Sequence, residues 1–409
     1  MKPHLKLLPF FLGFLAFAAV AGGRAQEASP DLKNWPAILE KGRGQTVYWY
    51  AWGGSQALND YIAWAGEEMR SRYGVSVVEV KLTDTAEAAT RVLAEKSAGR
   101  NEGGAVDLVW INGPNFASMK ENHLLFGPFA EDLPNFRYVD AATNPSLRSD
   151  FTIPTEGFEA PWSLAQIVFY GDGAALSPHP GSALSLLDWA KAHPGRFVYP
   201  NPSNFLGATF LKQVLIELTP DAARLQQPAD DLDFDKVTAP LFAYLDALRP
   251  HLWRQGRAYP LNSAALRTLM ADGEIDLALS FNPAEASSAI ARGELPMSVR
   301  SFVFDKGTIG NASFLAIPYN AAHKEGALLL CDFLLSPEAQ AKKQDPAGYG
   351  GLTVLSMRKL SAVDRARFEA LPRGVATLST EELGPVLPEP HPSWMTRIVT
   401  AWQRRYEGQ

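Results

Sequence analysis

Twice along this chain a short apolar strand runs into a polar loop and then an amphipathic helix. One stretch, Pro154 to Asp172 (PTEGFEAPWSLAQIVFYGD), separates the two series. Pro161 cannot donate to a strand ladder and holds Ala160 to extended conformations, so the first half reads as an extended crossing segment. Ile167 to Tyr170 is β-branched and aromatic and stops at Gly171, which reads as a short buried strand. The stretch is expected to link two lobes, with Trp162 lining the cleft between them; an ordinary core strand with a buried Trp fits the same residues. A chain of 409 residues is too long for one hydrophobic core, and a hydrophobic content of 46% is ample for two.

The first series predicts a strand over Thr46–Trp52, a helix from about Ser55 to Arg72 closed by Gly74, and a strand over Val75–Leu82. A helix over Thr85–Ala98, a strand over Val106–Ile111 and a helix restarting at Phe116 follow. In the second series, short strands over Arg196–Tyr199 and Ile275–Phe281 alternate with helices from Phe205, Pro240, Ser263 and Ala284, Ser203 or Asn204 capping the one at Phe205. Val299–Asp305 and Gly310–Pro318 read as strands returning to the first lobe, and Ser393–Tyr406 as an amphipathic helix whose aromatics pack on the body. Alternation at these intervals is the pattern of an α/β fold with mainly parallel sheets, in which ligands bind beyond the carboxyl ends of the strands. Trp52-Gly53-Gly54-Ser55 and Asn112-Gly113-Pro114-Asn115 lie at such ends, although Gly-Gly and Asn-Gly are also common turn punctuation.

Residues 1–25 carry Lys2 and Lys6 before an apolar run from Leu7 to Val20, then Gly23-Arg24-Ala25, the pattern of a cleavable secretory signal peptide. The one cysteine, Cys331, lies in the apolar run ALLLCDFLL and reads as a core residue, with no cysteine at the cleavage site to carry a lipid. A soluble protein released into a periplasm is expected. The formal charge of −6, without a basic tract, gives nucleic-acid binding no support. The seven histidines form no close pair, and the phosphate-binding loop, the dinucleotide fingerprint and the nucleophile elbow are missing, as are the adjacent tyrosines of a ferric-iron site. No metal, cofactor or catalytic residue is expected; the competing reading is a secreted hydrolase using Glu159 with a second carboxylate.

The segment FLLSPEAQ (Phe333–Gln340), in an exported two-lobed α/β chain, resembles the solute-binding proteins of ABC importers. DLVWINGPNF (Asp107–Phe116), EAPWSLAQIVF (Glu159–Phe169) and DLALSFNPAEASSAI (Asp276–Ile290) narrow the resemblance to the YnjB-like family of type II binding proteins, relatives of thiamine, polyamine and ferric-iron binders. The resemblance implies a discontinuous first lobe (26–160 and 305–409), a continuous second lobe (170–300) and a two-strand hinge (160–170 and 299–305). It further implies a monomer that delivers a small solute to an ABC permease and ATPase at the inner membrane. The expected ligand contacts are Trp52, Gly53, Gly54, Ser55, Asn112, Gly113, Asn115, Glu159, Trp162, Ser203, Asn204, Phe205, Thr209, Asn282 and Asn311. The aromatics among them favour a planar or cationic, thiamine-like or amine solute with Glu159 as countercharge, while helix N-termini at Ser55 and Ser203 leave an anion open.

Overall fold

A computed structural model describes residues 29–407 apart from 143, 174, 175, 231, 232 and 380. The expected signal peptide lies outside the described residues. The elements run in the order α1 (Trp35–Gly42), β1 (Thr46–Trp52), α2 (Gln56–Tyr73), β2 (Ser76–Leu82), α3 (Ala86–Ser97), β3 (Leu108–Ile111) and α4 (Pro114–Glu121). A small hairpin, β4 (Ser149–Asp150) and β5 (Ile153–Pro154), precedes β6 (Glu159–Gln166) and β7 (Val168–Asp172). Next come α5 (Ala183–Ala192), α6 (Phe205–Leu218), α7 (Phe234–Leu248), α8 (Ser263–Ala271), β8 (Leu277–Ser280), α9 (Glu285–Ala291), β9 (Val299–Phe302) and β10 (Thr308–Ala316). The chain closes with α10 (Lys324–Leu334), α11 (Pro337–Gln344), α12 (Ala362–Glu369), β11 (Val386–Leu387) and α13 (Pro392–Tyr406).

The first sheet has the order β11-β10-β3-β1-β2, with β6 on the other side of β10. Strands β1, β2 and β3 are parallel, and β10 runs antiparallel to both β3 and β6. Helix α2 ends where Gly74 takes φ 67° and donates its N–H back to Arg70, the left-handed cap that a glycine at this point supplies. The second sheet is β8-β7-β9. Its named strands pair antiparallel, because β7 enters from the end opposite β8 and β9; the parallel pairing expected there is limited to a bridge between Phe197 and Leu277. The strand expected over Arg196–Tyr199 is therefore one bridge long. Helix α7 begins at Phe234, before the expected Pro240, because Phe234 and Thr238 already face the core and Thr238 Oγ1 donates to the Phe234 carbonyl at 2.8 Å.

Each sheet sits in its own hydrophobic cluster. The first gathers Trp49, Phe116, Trp162, Leu328 and Cys331; the second gathers Phe169, Phe197, Phe210, Trp394 and Trp402. Between them the chain crosses at Ile167 and returns over residues 303–307, a tighter passage than the expected 160–170 and 299–305. The two crossings touch: Ile167 N–H donates to the Ile309 carbonyl at 2.9 Å, and Thr308 Oγ1 donates to the Ile167 carbonyl at 2.7 Å.

The C-terminal helix departs from expectation. The resemblance places residues 305–409 in the first lobe, yet α13 buries Trp394, Ile398, Trp402 and Tyr406 in the second core. The physical reason is partner supply. Phe234 stacks on Trp394 with centroids 6.0 Å apart, Trp402 Nε1 donates to Tyr199 OH at 3.0 Å, and Tyr406 OH donates to Asp246 at 2.8 Å. Strand β11 leads the chain there, pairing with β10 at Thr308 and Ile309 to form a third connection beside the two crossings.

Asp150, in the β4–β5 hairpin, is fully buried and receives the Gly113 N–H at 2.7 Å, which ties the loop after β3 to the hairpin. Burial pushes its carboxyl up to about 8, with the Glu389 charge adding to the rise and the Gly113 N–H and Lys212 opposing it. Because the folded value lies above the unfolded one of about 3.9, ionisation is resisted only in the folded state, so stability is lost as pH rises between them. Asp150→Asn removes this loss. Its stability relative to wild type should climb by up to about 1.4 kcal/mol per pH unit between pH 5 and 7, read from urea midpoints; a pH-independent difference would contradict the assignment. Trp402→Ala should cost about 3–5 kcal/mol in the same assay.

Candidate functional site

A cavity of about 400 Å³ lies between the two lobes. The first lobe contributes the carboxyl ends of its parallel strands: Trp52 after β1, Thr83 to Thr85 after β2, and Asn112 after β3. Strands end there because helices start there. Ser55 Oγ caps α2 by accepting the Leu58 N–H at 3.4 Å, and Pro114 opens α4. The second lobe answers with Asn204, whose Oδ1 caps α6 through the Leu206 N–H at 3.0 Å, and with Asn282 beyond β8. The floor is the paired run of β6 and β10, where Asn311 lies opposite Ala165 and Ser313 opposite Ser163. The exposed face of α13, through Met395, Thr396, Val399 and Thr400, forms a further wall.

Nine of the expected contacts line this cavity: Trp52, Ser55, Asn112, Asn115, Ser203, Asn204, Phe205, Asn282 and Asn311. Six do not. Gly54 serves Trp52, since a Cβ there would stand 2.3 Å from the indole Cζ2, and Gly53 stands against Lys81. Gly113, at φ 59°, has its N–H committed to Asp150. Thr209 is buried and returns its hydroxyl to the Phe205 carbonyl at 2.8 Å. Trp162 is 0% exposed in the first core, edge-on to Trp110 at 4.8 Å and to Trp49 at 5.5 Å. Trp162 falls where the register between β6 and β10 shifts, Ser313 facing Ser163 while Phe314 faces Pro161, and its neighbour Ser163 takes the cavity face.

Glu159 is also corrected. It is buried off the cavity with no hydrogen-bond partner among the described residues on either carboxylate oxygen, and burial, then the nearby Asp150, pushes its carboxyl well up. A carboxyl buried off the cavity is no countercharge for a solute within it. It also leaves the hydrolase reading without its proposed acid at the cavity.

The cavity gains residues that strand and loop patterns did not mark. Trp110 enters from the middle of β3, Phe281 from the end of β8, and Tyr349 from the glycine-rich loop after α11. Two aromatic pairs result, one per lobe: Trp52 with Trp110 at 6.5 Å and Phe205 with Phe281 at 5.4 Å, both edge-to-face.

Electrostatically the lining holds two carboxylates, Asp84 and Glu285, and, among the described residues, no Lys, Arg or His. Glu285 is paired with Arg267, and Asp84 accepts the Ala86 N–H at 2.8 Å at the start of α3. Many polar groups are similarly engaged: Asn282 donates to the Tyr349 carbonyl at 2.8 Å and accepts from Ala284 N–H at 3.0 Å. Beneath the floor, Lys212 of α6 and Glu389, just after β11, form an ion pair at 2.5 Å, both side chains 1% exposed. The ammonium lies over the rings of Phe151 (4.5 Å) and Phe205 (5.0 Å). Burial pushes the lysine down and the glutamate up, and their mutual attraction opposes both shifts. Among the described residues no group of three or more His, Cys, Asp or Glu side chains is placed to hold a metal, and no helix is long and apolar enough to cross a membrane.

Residues 64–361 match the family described as bacterial extracellular solute-binding protein. The protein YnjB of Escherichia coli K12 is 44% identical over 373 residues, covering 91% of this chain and 94% of that protein. Among solved structures, a putative spermidine/putrescine ABC transporter protein from Listeria monocytogenes superposes with a TM-score of 0.62 at 15% identity, over 89% of this chain and 99% of that one. The periplasmic binding protein AfuA from Actinobacillus pleuropneumoniae, with fructose-6-phosphate bound, gives 0.62 at 14% identity, over 90% of this chain and 100% of that one. The architecture is that of the type II periplasmic binding proteins, and with a cavity walled by both of its lobes this chain belongs to the bacterial extracellular solute-binding proteins, in the company of YnjB.

Proposed function

We propose that this protein captures a small, flat solute bearing an amine or a ring cation between its two lobes and presents it unaltered to the permease and ATPase of an ABC importer. The observation that carries the reading is the wall: an aromatic pair from each lobe and carboxylates as the only charged lining side chains. Aromatic faces attract a cation by about 0.5–2 kcal/mol each, and an uncharged flat ring stacks on the same surfaces. Thiamine-like compounds and other heterocyclic amines suit such a wall. An anion would meet no basic side chain among the described lining residues, and at α2 and α6 one first-turn N–H each, of Leu58 and Leu206, is already taken by a cap.

The lobes act as jaws about the two crossings, at Ile167 and over residues 303–307, with closure driven by contacts that the solute makes to both. A single copy suffices, since both aromatic pairs come from one chain. The chain works in the periplasm, delivered by the leader in residues 1–25.

Thiamine added to the purified protein should raise its melting temperature saturably and reduce its radius of gyration in solution scattering. Trp52→Ala and Phe205→Ala should each weaken binding by about 2- to 30-fold, the equivalent of about 0.5–2 kcal/mol, measured by calorimetry. Recovery of an unaltered anionic solute from freshly purified protein, by mass spectrometry, would overturn the charge assignment.

A further inference from the structure

Two side chains of the cavity wall, one from each lobe, keep a polar atom that no protein group takes up. Glu285, the first residue of α9, gives Oε1 to Arg267, whose Nε is held in turn by Glu294 at 2.8 Å. The Glu285 side chain is 12% exposed, and its Oε2 has no partner among the described residues yet is not sealed from solvent. Tyr349, in the glycine-rich loop after α11, is half-buried. Its hydroxyl is likewise without a partner and open, unlike the hydroxyls of Tyr170 and Tyr244, which are closed off in the second core. Both Glu285 and Tyr349 line the cavity.

Asn282 brings the two together. Its Nδ2 donates to the Tyr349 carbonyl at 2.8 Å, its Oδ1 accepts the Ala284 N–H at 3.0 Å, and its own carbonyl accepts the Glu285 N–H at 3.0 Å. The loop backbone therefore runs against the residue before Glu285: a Cβ on Gly350 would stand 2.3 Å from Ala284 Cβ. A Cβ on Gly351 would stand 2.6 Å from Tyr349 Cε1, so the phenol ring lies over Gly351, which itself abuts Ser163 of the floor. Burial, then the charge of Glu285, pushes the phenol up, so it keeps its proton and stays a donor beside a carboxylate that can only accept.

We infer that Glu285 and Tyr349 together read one edge of the solute, the carboxylate accepting an N–H while the hydroxyl donates to a bare nitrogen or oxygen next to it. The inference rests on the proposed binding role and deepens it: the amine is carried beside a ring nitrogen, as in an aminopyrimidine or an aminopurine. A plain alkylamine offers nothing to the hydroxyl, and a site built to pair both groups discriminates against a solute that leaves one of them unpaired. Because the hydroxyl comes from the first lobe and the carboxylate from the second, a matching edge engages both jaws at once.

The test has two arms, both on the full chain. Fluorine NMR of protein carrying 3-fluorotyrosine reads the juxtaposition with no solute present. The Tyr349 resonance, identified by its loss in Tyr349→Phe, should move in Glu285→Gln and hold still in Asp84→Asn, which alters the other carboxylate of the wall. A resonance that ignores Glu285→Gln, or moves as far in Asp84→Asn, overturns the inference.

Calorimetry then measures thiamine and adenine, each beside two analogues: one with C–H in place of the ring nitrogen next to the amino-bearing carbon, and one with the amino group dimethylated. Tyr349→Phe should weaken each parent amine by about 2- to 12-fold and leave its C–H analogue unmoved. Glu285→Gln should weaken parents and C–H analogues alike by about 2- to 30-fold, the difference between hydrogen bonds to a charged and to a neutral acceptor, and the dimethylated analogues by less. A Tyr349→Phe penalty equal for parent and C–H analogue overturns the inference and leaves the binding role intact. Failure of every probe to bind wild type would overturn the solute class proposed above, and this edge with it.

Discussion

Two hydrogen bonds at the waist of the molecule, from Ile167 N–H to Ile309 and from Thr308 Oγ1 to Ile167, hold the outgoing and returning strands side by side as they leave one sheet for the other. Everything that faces the cavity is placed relative to this waist. Strand β6 and the first half of β10 form the floor, and their continuations carry the second sheet. Because each sheet is buried in its own cluster, a change of angle between lobes need not disturb either core; it bends backbone at a few positions about the waist.

The third connection makes the arrangement less simple than two strands and a gap. Strand β11 lies against β10 at the waist, and Glu389 just beyond it meets Lys212 from the second lobe and Asn311 from the first. A buried pair of this kind contributes little net stability once its desolvation is counted, and its stronger effect is on which arrangement is allowed. Here it fixes one amide at the centre of the floor. The glycine-rich loop after α11 reaches the second lobe as well, Ser288 Oγ donating to the Pro346 carbonyl at 2.7 Å.

Much of this could be read in the chain before any coordinates. Strand, loop and helix were legible because their periods differ and because Gly74, Ser55 and Asn204 sit where caps belong. Ser55, Asn112, Asn204 and Asn282 were legible as cavity residues because strand ends in an α/β sheet open toward ligands. Trp162 was misplaced because a tryptophan in a crossing strand suits a cleft wall and a core equally, and only the packing of Trp49 and Trp110 around it decides between them. Glu159 is one residue type with two possible fates, and only the packing around it shows that it is buried, which pushes its carboxyl up. The stripe on α13 revealed an apolar face but not which of two cores would receive it, so the wall it gives the cavity stayed hidden. Trp110 was masked by its strand, where an aromatic is the expected filler.

Of the ten tryptophans in the chain, Trp52 and Trp110 stand in the cavity wall, and Trp162 touches Trp110 from behind. Occupancy changes the polarity around the first two and leaves the third in its dry setting. The protein thus carries an intrinsic optical gauge: its ultraviolet emission shifts as the cavity fills, with no dye or label attached.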